Sequence, residues 1–200
     1  MNTKPGAERM ASKGVDLSHL LLPIQPDDHV EGDSEAIYTL VEYGDYECPE
    51  CGRLFLILRE IRSQLGAQLR IVFRHYPLSG LHVNAQLAAE AAEAAGAQGR
   101  FWEMHCHLFE NQHALKSKDL IRYADKLSLD VKRFAYDLKH RTFEDVVREN
   151  FRRGVQNGVY GTPGLFINGV RHSLAWDLPI LLEKLVQPDP VVPLDPPAML

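Results

Sequence analysis

Cysteine is scarce in this chain, which has 3 cysteines among 200 residues. So few cysteines argue against a secreted scaffold held together by several disulfides. Long hydrophobic runs are missing as well, since no segment approaches the roughly 20 apolar residues of a transmembrane helix. There is no basic block either, because 22 basic residues face 27 acidic ones and the net charge is -5. We therefore expect no nucleic-acid partner and no membrane partner.

The amino-terminal region lacks the pattern of a secretory signal. After Lys4, Arg9 and Lys13, the only apolar piece is 20–24, which is shorter than a signal-peptide core and is not followed by a small-residue cleavage site. The expected location is therefore cytoplasmic. In that reducing compartment a redox-active cysteine pair is expected to cycle rather than to stay oxidised.

The length and the 45% hydrophobic content suit one domain with an ordinary core. We expect an amino-terminal tail at 1–32, or a strand from it that docks on the domain edge, a domain at 33–187, and a carboxy-terminal tail at 188–200 that contains five prolines.

The pattern of apolar residues predicts a strand, a helix and a second strand in the first half of the domain. The run 37–43 is nearly continuously apolar, as expected of a central strand. The spacing of Leu54, Leu58 and Ile61 predicts a helix that ends at Gly66, and alternation from residue 69 predicts the next strand. A parallel βαβ unit is the simplest interpretation.

A helical block of about 82–157 is predicted next. It opens with an alanine-rich segment, and Thr142 followed by Asp145 resembles a capping box for its last helix. Asn168 and Gly169 then predict a hairpin between two short strands, and a final helix is predicted behind Asp177. The predicted class is therefore α/β with an all-helical insertion.

The strongest chemical signal is the motif Cys48-Pro49-Glu50-Cys51, which lies where the first predicted strand meets the first helix. Cys48 at the helix N-cap would lie beside unpaired amides and the positive end of the helix dipole, which favour a thiolate. A thiolate attacks disulfides, and a second cysteine three residues on can resolve the mixed disulfide.

Two other interpretations of this motif remain open. Zinc is one, with Cys106 and a neighbouring His105 or His107 completing four ligands around the pair, although the strand–CxxC–helix context favours redox chemistry. Two thiols without a role are the other.

Four motifs in order resemble the DsbA-like branch of the thioredoxin superfamily. They occupy 42–51, 73–78, 101–105 and 161–169, and the resemblance covers about 35–187. It implies a thioredoxin-like fold, interrupted by a helical domain, and a thiol-disulfide oxidoreductase that needs no cofactor. Expected partners are protein or small-molecule disulfides and a thiol electron partner such as thioredoxin, glutathione or a small dithiol.

The resemblance also implies roles for single residues. Cys48 would attack and Cys51 would resolve, while Pro163 would follow a cis peptide bond beside them. The backbone of Thr162 would hold an extended substrate. Glu42, on an apolar strand, would have a raised pKa and would move a proton to or from Cys51.

Other expected substrate contacts are Pro49, Glu50 and His75. Glu50 departs from the family pattern, because strongly oxidising members typically have histidine there. A carboxylate beside Cys48, helped by Glu47 and Asp45, is expected to disfavour the thiolate and to give a potential closer to about -270 mV than to about -120 mV. Cys106 is expected to be a buried, inert thiol, with a regulatory or resolving role as the alternative.

A binding module or chaperone-like holdase on the same fold is the rival from outside enzymology. It would suppress aggregation equally well without the two cysteines of the motif.

Overall fold

The structure of the protein, a computed structural model, describes residues 19–20, 22–173 and 176–186. Five strands form one mixed sheet in the spatial order β1-β3-β2-β4-β5. The strands are β1 (His29–Glu31), β2 (Tyr38–Gly44), β3 (Leu69–His75), β4 (Gly164–Ile167) and β5 (Val170–His172). β2 and β3 are parallel and the other pairs are antiparallel, so the predicted βαβ unit is confirmed.

Seven helices are described, and five of them lie between β3 and β4 as the predicted helical block. The helices are α1 (Pro49–Leu65), α2 (Ala85–Gly96), α3 (Phe101–Glu110), α4 (Ser117–Lys126), α5 (Val131–His140), α6 (Glu144–Gln156) and α7 (Leu178–Val186). None of these helices combines the length and the apolar composition that crossing a membrane requires. The alanines of α2 are mostly buried, because small side chains let this helix pack closely against α3 and α5.

Most predicted helix ends are confirmed, and one is wrong. Gly66 ends α1 with a positive φ of 53°, and the main-chain N–H of Ile180 donates to the Asp177 carboxylate at the start of α7. The capping box at Thr142 does not form. The main-chain N–H of Thr142 donates to the carbonyl of Asp137, still in the turn that closes α5, and α6 begins two residues later.

The hairpin between β4 and β5 turns at Asn168 and Gly169, as predicted. Both residues have positive φ values, 47° and 83°, which the favoured two-residue turn requires. The Asn168 side chain also accepts a hydrogen bond from the main-chain N–H of Thr39, at 2.8 Å, and so fastens the turn to β2.

The segment before the sheet covers one face of β3. Arg74 on β3 is fully buried and its guanidinium makes hydrogen bonds of 2.8 and 2.6 Å to the carboxylate of Asp28. Leu20 and Ile24 are also buried, and β1 pairs with the edge of β3. The predicted tail thus contributes described residues to the domain, while all of 1–18 and all of 187–200 fall outside the described residues.

Candidate active site at the start of α1

The two cysteines of the CxxC motif lie at the amino-terminal end of α1, a few residues after β2. Cys48 is the N-cap, with φ −74° and ψ 120°, and Pro49 is the first helical residue. Proline suits that place, because an N–H there would have no acceptor within the helix. Cys48 is 6% exposed, Cys51 is completely buried, and both are free thiols. The strand–CxxC–helix arrangement predicted from the sequence is therefore present.

The loop before β4 faces Cys48. The sulfur of Cys48 lies 3.5 Å from the carbonyl oxygen of Thr162, and the peptide bond between Thr162 and Pro163 is cis. Both loop residues are partly exposed, and the buried Cys48 lies beside them. Main-chain groups and a sulfur are thus presented together at one edge, where an extended chain can lie.

Comparison with known proteins assigns the family. A family model described as thioredoxin matches residues 25–179. The chain belongs to the thioredoxin family. The matched region includes the CxxC motif, the helical insertion and the cis-proline loop.

Two solved structures illustrate this fold. The chain is similar to oxidised BdbD from Bacillus subtilis, with a TM-score of 0.75, 23% identity, and 83% of this chain and 95% of that chain covered. It is also similar to alpha-DsbA1 from Wolbachia pipientis, with a TM-score of 0.71, 20% identity, and 84% and 93% covered. The predicted thioredoxin-like fold with a helical insertion is confirmed.

A curated relative carries a different name. The chain is 45% identical over 163 residues to a Na(+)/H(+) antiporter NhaA 1 from Salinispora arenicola, which covers 81% of this chain and 25% of the antiporter. This chain therefore spans about a quarter of the length of the curated relatives it matches.

The two sulfurs of this thioredoxin domain have opposite pKa shifts. A hydrogen bond from the Cys51 thiol lowers the pKa of Cys48 to about 5 against the effect of burial, and the side chain of Thr162 and the amides of Cys51 and Glu50 act in the same direction. Burial raises the pKa of Cys51 well above its ordinary value, and the hydrogen bond to Cys48 and the charge of Glu42 act in the same direction. Cys48 is thus the thiolate at neutral pH, and Cys51 keeps its proton.

The carboxylates near Cys48 do not act as predicted. Glu50 is directed to Arg53, at 3.0 Å, on the exposed side of α1. Glu47 accepts hydrogen bonds from the main-chain N–H and the side-chain amide of Asn84, at 2.6 and 2.8 Å. Each charge has its own partner, and the pKa of Cys48 is lowered overall. The opposition to the thiolate that was expected of these carboxylates therefore does not decide the pKa of Cys48.

Asp45 was predicted to oppose the thiolate, yet it organises the active-site loop. Its buried carboxylate accepts hydrogen bonds from the amides of Glu47 and Leu78 and contacts Nδ1 of His82 at 2.7 Å. Burial lowers the pKa of His82. The hydrogen bond to Asp45 and the nearby negative charges, including that of Cys48, outweigh the effect of burial and raise this pKa overall. In its protonated form His82 favours the Cys48 thiolate, and no sequence motif marked this residue.

Gln112 is a second residue that the sequence did not indicate. Its side-chain amide donates to the carbonyls of Tyr46 and Cys48, at 2.9 and 2.8 Å. Gln112 follows α3 in a turn, so only the folded chain brings it to the active-site loop. It holds the main chain on both sides of the first cysteine.

Glu42 lies on β2 behind the cysteine pair and is 2% exposed. Burial, with a smaller contribution from the charge of Cys48, raises the pKa of Glu42 to about 8. No described residue donates a hydrogen bond to its Oε1. A side chain at Gly44 would lie 2.8 Å from this oxygen and closer still to Phe73, so only glycine fits there. The predicted pKa increase is confirmed.

His75 is placed in the core and not in a substrate groove. Its side chain is fully buried, and its Nε2 lies 2.9 Å from Oε1 of Glu93. Nε2 of His29 lies 2.8 Å from the same oxygen. This burial argues against the expected contact between His75 and a substrate. Among the described residues, His29, His75 and Glu93 form the one group of three possible metal ligands, here joined by hydrogen bonds.

Cys106 does not complete a zinc site with the CxxC motif. It lies on α3 and lines a cavity with Arg59 and Glu110, beyond the second turn of α1. Burial raises its pKa, so it is a weak nucleophile, in line with the expected inert thiol. It is partly rather than fully buried.

Proposed function

We propose that this thioredoxin domain is a thiol-disulfide oxidoreductase that exchanges a Cys48/Cys51 dithiol with protein or small-molecule disulfides. The observation that carries the proposal is the opposite shift of the two sulfur pKa values at one helix terminus. A nucleophile that is ionised and a resolving thiol that is held protonated are what a two-step exchange requires.

In the first step, the Cys48 thiolate attacks one sulfur of a substrate disulfide and displaces the other as a thiolate. This step needs no base, because Cys48 is already ionised at neutral pH. The product is a mixed disulfide on a sulfur that lies beside the carbonyl of Thr162.

In the second step, Cys51 passes its proton to the Glu42 carboxylate and attacks the sulfur of Cys48. The bond between Cys48 and the substrate breaks, the substrate leaves as a thiolate, and the internal disulfide forms. Glu42 is suited to this exchange because its pKa of about 8 is close to that of an ordinary thiol. The reverse sequence would oxidise a substrate dithiol.

The surface around Cys48 supports the assignment of substrate contacts. Pro49 and Glu50 are exposed at the start of α1, directly after Cys48, which the loop of Thr162 and Pro163 contacts. An extended substrate segment would pair with the main chain of Thr162 while Pro163 and Pro49 supply apolar contacts. His75 is left out of this set because it is buried.

The electron partner and the compartment belong to the proposal too. A thiol partner such as thioredoxin, glutathione or a small dithiol would restore the starting redox state, and no cofactor is needed for the chemistry. A cytoplasmic location stays a prediction, which fractionation of the native host with compartment markers tests.

The test is insulin-disulfide reduction with purified protein and a thiol reductant. Cys48→Ser is expected to abolish the catalysed rate, whereas Cys106→Ser, the matched loss of a thiol outside the motif, should leave it unchanged. Equal rates for wild type and Cys48→Ser would end the proposal. Aggregation suppression that survives the loss of both motif cysteines would favour a holdase, and stoichiometric zinc bound through them would favour a metal module.

A further inference from the structure

Three side chains from separate parts of the chain meet at one point of the fold. His29 lies on β1, His75 lies at the end of β3, and Glu93 lies on α2 in the helical insertion. Nε2 of each histidine is close to the same oxygen of Glu93, at 2.8 Å for His29 and 2.9 Å for His75. All three possible ligand atoms lie within 4.8 Å of one another. Two imidazole nitrogens and one carboxylate oxygen thus converge.

Glu93 is a buried carboxylate that no described arginine or lysine neutralises. It is 8% exposed, and within the described part of the chain its ion-pair contacts are to the two histidines. Glu90, one turn earlier on α2, is different, because Arg141 pairs with it at 2.6 Å. Burial outweighs the hydrogen bond to Glu93 and lowers the pKa of His75, so this ring supplies no lasting positive charge at neutral pH. Burying a carboxylate without a compensating charge is costly, and a bound cation would supply that charge.

The distances suit a zinc-type ion after a small adjustment. Zinc binds imidazole nitrogen and carboxylate oxygen at about 2.0–2.2 Å, which places neighbouring ligand atoms of a tetrahedral site about 3.3–3.5 Å apart. The two N···O distances of 2.8 and 2.9 Å are shorter than this by about half an ångström. Small movements of the three side chains would therefore make room for an ion. Two histidines and one glutamate are also a donor set that zinc uses in proteins.

The group is open to solvent on one side. The side chain of His29 is 21% exposed and that of Glu93 is 10% exposed, whereas that of His75 is fully buried. Three protein ligands with one open side leave the fourth position of a tetrahedral site to a water molecule. The group contains no cysteine, so it is distinct from the CxxC motif.

We propose that His29, His75 and Glu93 form a binding site for a divalent zinc-type ion that joins β1 and α2 to β3. Imidazole nitrogen suits zinc and its neighbours in the first transition row, whereas calcium and magnesium prefer sites built from oxygen. The three ligands come together only when the three elements pack, so the ion should bind the folded protein and stabilise it. The inference does not depend on exchange at Cys48. The site also differs from that of the rival zinc module, which would use the motif cysteines.

The test is zinc binding to the protein in a Cys48→Ala/Cys51→Ala/Cys106→Ala background, which removes every thiol. Isothermal titration calorimetry should give one zinc ion per chain, and the melting temperature should rise with the zinc concentration. His29→Gln should weaken binding by at least about 100-fold, because the loss of a residue that merely orients a metal ligand already costs about 10–100-fold. His140→Gln, the matched loss of an exposed histidine on α5, should leave the affinity unchanged.

A second ligand variant and a second metal keep the test decisive. If circular dichroism shows that His29→Gln does not fold, Glu93→Gln takes its place and should show the same loss of affinity. Cobalt(II) in place of zinc should give the visible absorption bands of a four-coordinate ion, and these bands should be missing in the ligand variants. A change of packing alone would not produce or remove them.

Two results would overturn the inference. One is a thiol-free protein that folds and binds no stoichiometric zinc. The other is equal zinc affinity in the thiol-free protein and in its folded ligand variant. The three side chains would then be a hydrogen-bonded cluster and nothing more. Insulin-disulfide reduction by the wild-type protein is a separate measurement, so this inference and the proposed function can fail independently.

Discussion

Replacing Glu42 with glutamine should stabilise the reduced protein, and the gain should grow with pH. The pKa of Glu42 is about 8 in the folded protein and 4.5 in an unperturbed chain. Between these values the folded state holds a proton that the unfolded state has released. The contribution of Glu42 to stability is therefore full below pH 4.5 and is lost as the pH rises toward 8.

The size of the effect follows from linkage. Between pH 5 and pH 7 Glu42 is largely ionised in the unfolded chain and protonated in the folded chain. At 1.36 kcal/mol per pKa unit, this difference lowers the unfolding free energy of the wild type by about 2–3 kcal/mol over that range. Glutamine does not titrate, so the variant escapes this loss. Any cost of packing the amide is the same at both pH values and cancels when the two are subtracted.

The assay is denaturant unfolding of the reduced protein at pH 5 and pH 7. Glu50→Gln is the matched control, because Glu50 is exposed and paired with Arg53, and its pH dependence should stay within about 0.5 kcal/mol of the wild type. Parallel pH dependences for wild type and Glu42→Gln would show that Glu42 is ionised in the folded state, and the argument for a proton carrier behind Cys51 would fall.

Three other outcomes are expected. Cys51→Ala should raise the pKa of Cys48 by about 1 to 2, because a hydrogen bond to a charged group is worth about 1.5–3 kcal/mol. The pKa is measured from thiolate absorbance at 240 nm, and an unchanged value would contradict the hydrogen bond assigned to the Cys51 thiol. A titration against glutathione should give a reduction potential of about -220 mV. The pKa of Cys48 is about 5, against about 7 for the first cysteine of thioredoxin, and this difference stabilises the reduced form by at most about 50 mV, or less where solvent screens the charge. A reduction potential at or below about -270 mV would refute this reasoning. Asp28→Ala should lower the unfolding free energy by about 3–5 kcal/mol in a denaturant titration, because it leaves the buried guanidinium of Arg74 without its carboxylate partner. A loss below about 1 kcal/mol would show that the other hydrogen bonds of this guanidinium are sufficient without Asp28.

Local sequence patterns were sufficient for the elements that carry the cysteines. The apolar run before Cys48, the proline after it and the glycine at residue 66 each constrain only their own neighbourhood, so the strand, the helix start and the helix end could be predicted. The hairpin at Asn168 and Gly169 was predictable for the same reason, since a two-residue turn depends on backbone angles that few residue pairs adopt.

Charge effects could not be judged from neighbours in the chain. Glu50 adjoins Cys51 in the sequence, yet it pairs with Arg53. His82, which no motif marked, favours the Cys48 thiolate when it is protonated. Electrostatic interactions depend on distance and burial in space. For that reason the sequence overestimated the effect of the neighbouring carboxylates on Cys48.

The order of strands and helices along the chain, the cysteine pair at a helix terminus and the proline loop could be predicted from the amino-acid sequence, because each depends on short-range backbone preference and hydrophobic period. Tertiary structure alone decided that His75 is buried, that residues before the sheet cover Arg74, and that His29 and His75 meet at Glu93. Those properties arise when distant segments pack together, and no local pattern encodes which side chain loses its contact with water.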